Sequence, residues 1–194
     1  MDSRSPARRT PPRRPWASCA PSGAATYFNV SVTAAFTTSD GKVHASADGP
    51  IDIVAGTKAT TASLYPGGST TKTFTSVAAL KLVEAGKLDL DAPIHEAVDP
   101  WLKTQGHKSL LELGGGDRTI LEVTGRQLLQ MRGEIQDYYD ATLRQWTVQH
   151  PTRDWAPIEY IESVAKEFLF APGQGGAYSG NSYVLMEWAL CAAV

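Results

Sequence analysis

No run of about 18 apolar residues, the length a helix needs to cross a bilayer, occurs in this 194-residue chain. The first residues also lack the apolar stretch of a secretory signal. Cysteine is scarce: Cys19 and Cys191 are too few for a disulfide framework, and both are expected to be free thiols. Net charge is low as well. Eighteen basic residues face 20 acidic ones, a formal charge of -2, so no chain-wide field recruits nucleic acid or an anionic membrane. The four histidines, His44, His95, His107 and His150, show no ligand spacing such as H-x-x-x-H, which argues against zinc. Gly114-Gly115-Gly116-Asp117 has no following Gly-Lys-Ser/Thr, so it reads as a flexible loop and not a phosphate cradle. Neither a metal nor an organic cofactor is implied.

What is present is the material of a globular protein. An apolar share of 42% and a charged share of 20% are ordinary, and the length supports one core or two small lobes. The charge is unevenly spread. Arg4, Arg8, Arg9, Arg13 and Arg14 stand in the first twenty residues against one acid, Asp2. With its prolines and serines, residues 1–23 read as a disordered basic leader. An Arg-rich transit peptide and a nucleic-acid-binding arm are the alternatives, and the compartment stays open. The last four residues, Cys191-Ala192-Ala193-Val194, fit a prenylation pattern, but the apolar residues before them carry no basic patch and the match is taken as coincidence. Asn29-Val30-Ser31 fits a glycosylation sequon, and its place inside a strand discounts it.

Residues 27–37 are β-branched and aromatic and predict a strand; Ser39-Asp40-Gly41 supplies a turn, and Val43 to Ala47 return as a second strand. Pro66-Gly67-Gly68 predicts a loop, followed by a helix from Ser69 to Ala85 that Gly86 ends. Phe74, Val77, Leu80, Leu82 and Val83 leave that helix little polar surface, so it is expected to be central and buried on most sides. A mostly helical region follows. Thr124 and Gln127 suit a capping box. Tyr139, Leu143 and Trp146 form a stripe that Pro151 ends. Pro157 opens another helix, and Ser182 to Ala193 reads as one more.

Ser69-Thr70-Thr71-Lys72 fits S-x-x-K. So do Ser39-Asp40-Gly41-Lys42, a hairpin turn, and Ser163-Val164-Ala165-Lys166, part of an amphipathic helix. Only Ser69 stands where a loop becomes an apolar helix. There uncapped N–H groups and the helix dipole favour a developing alkoxide. Lys72 is about one turn further on, on the same face. A lysine deprived of water is pushed toward its neutral form and can then accept a serine proton. Spacing alone favours a plain helix cap beside an exposed lysine.

The wider text decides between these. Ser69-Thr70-Thr71-Lys72-Thr73-Phe74-Thr75, with Gly86-Lys87-Leu88-Asp89-Leu90-Asp91 at the helix exit, resembles the serine β-lactamase-related family of class C β-lactamases, penicillin-binding proteins, D-amino-acid peptidases and esterases. Val123-Thr124-Gly125-Arg126-Gln127-Leu128-Leu129 is similar to the family's T-x-R-x-L-L helix. Phe170 to Tyr183 is similar to its F-x-P-G…Y-S-N-x-x-Y stretch. The resemblance runs from about residue 28 to about 190. It implies Ser69 as nucleophile, with Lys72 and Tyr178 sharing the proton work as a coupled pair.

Three departures stand out. The family's asparagine two after the tyrosine is Gly180 here, with Asn181 next, so both are candidate substrate-binding positions. Met131-Arg132-Gly133-Glu134 replaces the family's H-T-S-G. The family's third motif, a Lys/His-Thr/Ser-Gly strand carrying an oxyanion donor, has no counterpart before Val194, so the chain reads as truncated.

The expected architecture is α+β and β-lactamase/transpeptidase-like: an incomplete antiparallel sheet lobe packed on a helical lobe. Residues 24–94 would hold the hairpin and nucleophile helix, 95–175 the helical lobe, and 176–194 the tyrosine loop and a further helix. The expected function is serine hydrolysis of an amide, lactam or ester carbonyl through an acyl-enzyme, on a small-molecule or peptide substrate. The alternative is a catalytically impaired binding or scaffold module.

Overall fold

The structure is a computed structural model and describes residue 25 and residues 30–133, 135–138, 141–163 and 168–194. The expected leader, Cys19, the first residues of the opening strand, Tyr139 and most of the Ser163–Lys166 motif lie outside the described residues. The chain divides into two compact units, Met1–Pro66 and Gly67–Val194. The division falls in the Pro-Gly-Gly loop, so the helix bearing Ser69 belongs with the helical unit and not with the hairpin.

In the first unit, β1 (Val32–Thr37) pairs antiparallel with β2 (Val43–Asp48), from Val32 opposite Asp48 to Thr37 opposite Val43. The turn closes as its residues dictate. Gly41 takes φ +82°, and the Asp40 carboxylate accepts the Lys42 N–H at 3.1 Å. Phe36 and His44 stack across the strands at 5.0 Å. A second, shorter hairpin joins β3 (Pro50–Asp52) to β4 (Thr57–Lys58). Asp52 builds its turn by accepting the Val54 and Ala55 N–H groups, both at 2.9 Å.

The second unit holds seven helices among the described residues: α1 (Thr71–Glu84), α2 (Ile94–Thr104), α3 (Leu110–Leu113), α4 (Gly125–Leu129), α5 (Ala141–Gln149), α6 (Pro157–Ser163) and α7 (Gly180–Ala192). A 3-10 turn, Gly68–Thr70, leads into α1. At its far end Gly86 adopts φ +67°, so its N–H reaches Val83 O at 2.9 Å and the Lys87 N–H reaches Leu82 O at 2.8 Å. That is the paired C-terminal closure the left-handed residue permits. Thr124 and Gln127 form the expected capping box at α4, and Ser109 and Glu112 form one at α3.

The central helix is α7, against which α1, α2, α4 and α6 all pack. Leu185, Met186, Trp188 and Ala189 of α7 are buried with Val98, Leu102, Leu128 and Ala79. This corrects the expectation that the Ser69 helix is the buried centre. Only Ala79 of α1 is buried, while Phe74 is 73% and Leu80 56% exposed. An apolar surface all round a helix states that it can be covered, not which neighbours cover it. The α7 helix, the more apolar of the two, is the one enclosed on several sides.

Leu185→Ala removes a side chain with 1% exposure from the point where these helices meet. The expected loss is about 2–5 kcal/mol, read as a lower urea midpoint with an unchanged m-value.

Candidate active site

Ser69 lies in the 3-10 turn that opens α1, and no side chain caps either that turn or the helix it feeds. Lys72 follows in the first turn of α1 and is half-buried. Tyr178 comes from the loop ahead of α7. Its phenol oxygen lies 2.6 Å from the Ser69 hydroxyl oxygen, across 109 residues of sequence. The Lys72 Nζ sits 4.9 Å from the Tyr178 ring centroid and 5.5 Å from that of Tyr183. The amine is thus held between two aromatic rings, whose faces attract a cation.

Tyr183 fixes this arrangement from behind. Its hydroxyl donates to Leu129 O at 3.2 Å and meets the Ser76 hydroxyl at 3.1 Å, while Ser76 donates back to Lys72 O at 2.9 Å. One phenol therefore links α7, α4 and α1 beneath the amine.

The Tyr178 hydroxyl ionises more readily than an ordinary phenol. The Lys72 amine hydrogen-bonded to it is the main cause, followed by the Ser69 hydroxyl. The negative charge of Asp137 works against both and pushes the value upward. With Tyr178 55% exposed, water screens all three effects.

The residues that replace the family's H-T-S-G hold the tyrosine loop. Met131 takes φ +58°, which turns its carbonyl to accept the Ala177 N–H at 3.1 Å. The Ser179 N–H points at Met131 Sδ at 3.4 Å. Arg132 O accepts the Gly173 N–H at 2.9 Å, and the Arg132 guanidinium donates to the carbonyls of Gly173 and Gly175. Tyr178 is carried by a loop clamped on both sides.

Ser69, Lys72 and Tyr178 come together, and with Gly68, Asp137 and Tyr138 they line an open cleft of about 410 Å³. Gly180 and Asn181 do not line it. Asn181 is fully buried; its Nδ2 donates to Gln136 O at 2.9 Å, and its Oδ1 has no partner among the described residues. Gly180 sits against the Tyr138 ring, where an added Cβ would overlap the aromatic, at 2.8 Å from its Cζ. A side chain at position 180 would occupy volume that Tyr138 already fills. Asp137 and Tyr138 escaped the reading of the sequence. Their one signal was position, five and six residues past the altered Arg132.

Residues 27–193 match the family model for β-lactamase, and the chain belongs to the β-lactamase family, within the serine hydrolase superfamily. More particularly, its fold is similar to that of D-stereospecific amidohydrolase from Streptomyces sp., at 23% identity and a TM-score of 0.64, over 84% of this chain and 44% of that one. D-amino acid amidase from Ochrobactrum anthropi SV3 matches at 20% identity and a TM-score of 0.64, over 87% and 43%. SurE matches at 22% identity and a TM-score of 0.57, over 89% and 33%. The chain spans less than half the length of these structures.

Three substitutions probe the geometry. Gly180→Ala is expected to lower the urea midpoint because its methyl meets Tyr138, and Tyr138→Ala in the same chain is expected to recover part of that loss. A double-mutant cycle with zero coupling would refute the contact. Arg132→Ala is expected to raise amide hydrogen exchange across residues 173–179 while leaving the α2 amides protected.

Proposed function

We propose that the Ser69–Lys72–Tyr178 cluster is the nucleophile and proton-handling centre of a serine hydrolase. It would act on an amide, lactam or ester carbonyl through an acyl-enzyme. The observation that carries this reading is the 2.6 Å contact between the Ser69 and Tyr178 oxygens with the Lys72 amine lodged over the phenol ring.

The chemistry follows from the positions. Tyr178, with its phenolate form favoured by Lys72, takes the Ser69 proton as the serine oxygen bonds to the carbonyl carbon. The oxyanion forms near the start of α1, where the dipole and the Ser69 N–H favour negative charge. Collapse breaks the bond to the amine or alkoxide leaving group, which receives the proton from Tyr178. Water then attacks the acyl-enzyme with Tyr178 again as base, and release of the acid restores the serine hydroxyl. Lys72 holds the phenolate in place and stabilises its charge, so base function belongs to the pair.

The similarity to a D-stereospecific amidohydrolase and to a D-amino acid amidase supports an amide as substrate. No observation favours the alternative of a non-catalytic module.

A fluorophosphonate probe is expected to label the wild-type chain and to leave Ser69→Ala unlabelled. Labelling of both, or of neither, would sink the reading. Lys72→Ala and Tyr178→Phe are each expected to slow labelling by about 10²–10⁴-fold. The pH dependence supplies a separate check. The folded phenol ionises below its ordinary value, so labelling rises with pH through that lowered pKa and levels off above it. Removing the Lys72 amine takes away the main cause. In Lys72→Ala, the Tyr178 phenolate absorbance, read as the difference from a Lys72→Ala/Tyr178→Phe chain, is therefore expected to appear at higher pH than in the wild type.

A further inference from the structure

The Lys72 amine is held without a carboxylate. Among the described residues, no acidic side chain lies within ion-pair distance of it. A flexible stem carrying a strongly hydrated charge needs some other hold to keep one place in an open cleft. Two rings supply it. The Nζ is 4.9 Å from the centroid of Tyr178 and 5.5 Å from that of Tyr183, both within the range at which an aromatic face attracts a cation. Tyr178 is a reacting group and is 55% exposed. Tyr183 takes no part in the acyl transfer and is half-buried in the first turn of α7. Its hydroxyl lies 3.2 Å from Leu129 O and 3.1 Å from the Ser76 hydroxyl, which itself donates to Lys72 O at 2.9 Å. Three contacts share two hydrogens. With the Ser76 hydrogen given to Lys72 O, the phenol hydrogen is divided between Leu129 O and the Ser76 oxygen. The ring is thereby tied, through Ser76, to the backbone of the residue whose amine it faces.

We propose that Tyr183 is a positioning residue for the acyl transfer: its ring is the seat that keeps the Lys72 ammonium against the Tyr178 phenol, and its hydroxyl fixes that seat. This rests on the reading of Ser69, Lys72 and Tyr178 as the reacting cluster. The seat acts through the amine alone. An ammonium kept beside the phenol stabilises the phenolate, and Lys72 is the main cause of the easier ionisation of Tyr178. A neutral ring suits this task better than a carboxylate would. It holds the cation without cancelling its charge, so the field at the phenol is kept. An amine that loses one of its two rings spends more time in water and less beside the phenol, and less phenolate is then present at neutral pH.

The test reads Tyr178 ionisation as phenolate absorbance, each full chain being compared with its own Tyr178→Phe counterpart. Ser69 and Asp137, the other groups that act on the phenol, stay in place throughout. In Tyr183→Leu the phenolate is expected at higher pH than in the wild type. Fluorophosphonate labelling at neutral pH is expected to slow by about two- to fivefold, the scale of one cation–ring contact. That deficit is expected to close as pH rises past the phenol's pKa, which a mere loss of packing would not produce. Tyr183→Phe keeps the ring and is expected to titrate nearer to the wild type than Tyr183→Leu does. In a Lys72→Ala background, Tyr183→Leu is expected to leave the phenolate titration where it was, because the amine that carries the effect is gone. Should Tyr183→Leu fold poorly, a trifluorinated phenylalanine in place of Tyr183 provides a second check. It keeps the shape of the ring in Tyr183→Phe, weakens its negative face, and is expected to move the phenolate to higher pH than Tyr183→Phe does. An unmoved phenolate in Tyr183→Leu, a labelling deficit constant across pH, equal titrations of Tyr183→Phe and Tyr183→Leu, the same shift with and without Lys72, or matching titrations for the two phenylalanine rings would each overturn the proposal. The titration needs no reaction at Ser69. Failure of the nucleophile reading therefore shows separately, as a wild-type chain that takes no fluorophosphonate label.

Discussion

The contact between the Ser69 hydroxyl and the Tyr178 phenol depends on a loop that has no regular structure of its own. Residues 171–178 make no helix or strand, so their path is set by what they are tied to. The ties are the Met131 and Arg132 carbonyls and the Arg132 guanidinium. A loop bonded at three points loses little further freedom when substrate binds, which is the value of ordering it in advance. The positive φ of Met131 belongs to the same device. A non-glycine residue in that region costs energy, and here the cost turns a carbonyl toward the loop that carries Tyr178.

The start of α7 is the second constraint. It is polar and buried, with Ser179, Asn181 and Ser182 almost without exposure. Most such groups are hydrogen-bonded when buried, and at this helix start only the Asn181 Oδ1 lacks a partner among the described residues. Ser179 caps the helix by accepting the Ser182 N–H, Asn181 binds Gln136 O, and the Gly180 N–H binds Asp137. Two of these three bonds go to residues 136 and 137. Residues 131 and 132 therefore hold the tyrosine loop, and residues 136 and 137 hold the helix that follows.

The parts of this arrangement that were legible in the sequence are the local ones. The Asp40-Gly41 turn, the Thr124–Gln127 box and the Gly86 stop depend on residues within a few positions of one another, and each formed as its chemistry requires. The β-lactamase family was legible from the text around Ser69 and Tyr178. What stayed hidden depends on contacts between distant segments. Which of two apolar helices is central, α1 or α7, follows from the neighbours each acquires. Asp137 and Tyr138 sit in an unremarkable Gln-Asp-Tyr-Tyr run, and only folding brings them to the cleft. The β3–β4 hairpin was passed over because strands of three and two residues carry too little alternation to register.

Gly180 is the place where these levels meet. By sequence it is a lost asparagine, and the simplest inference from a lost side chain is an emptier pocket. In the folded chain the opposite holds. The ring of Tyr138 lies where a Cβ would project, so this ring and a side chain at position 180 exclude one another. The asparagine's amide is neutral and both donates and accepts hydrogen bonds. Its volume is taken by an aromatic ring, and the polar group that comes with that ring is the Asp137 carboxylate, an acceptor with a full charge. The neighbouring Asn181 cannot restore the amide, because its own is turned inward to Gln136. The chain thus has a carboxylate on that side of the cleft, beside Ser69, Lys72 and Tyr178.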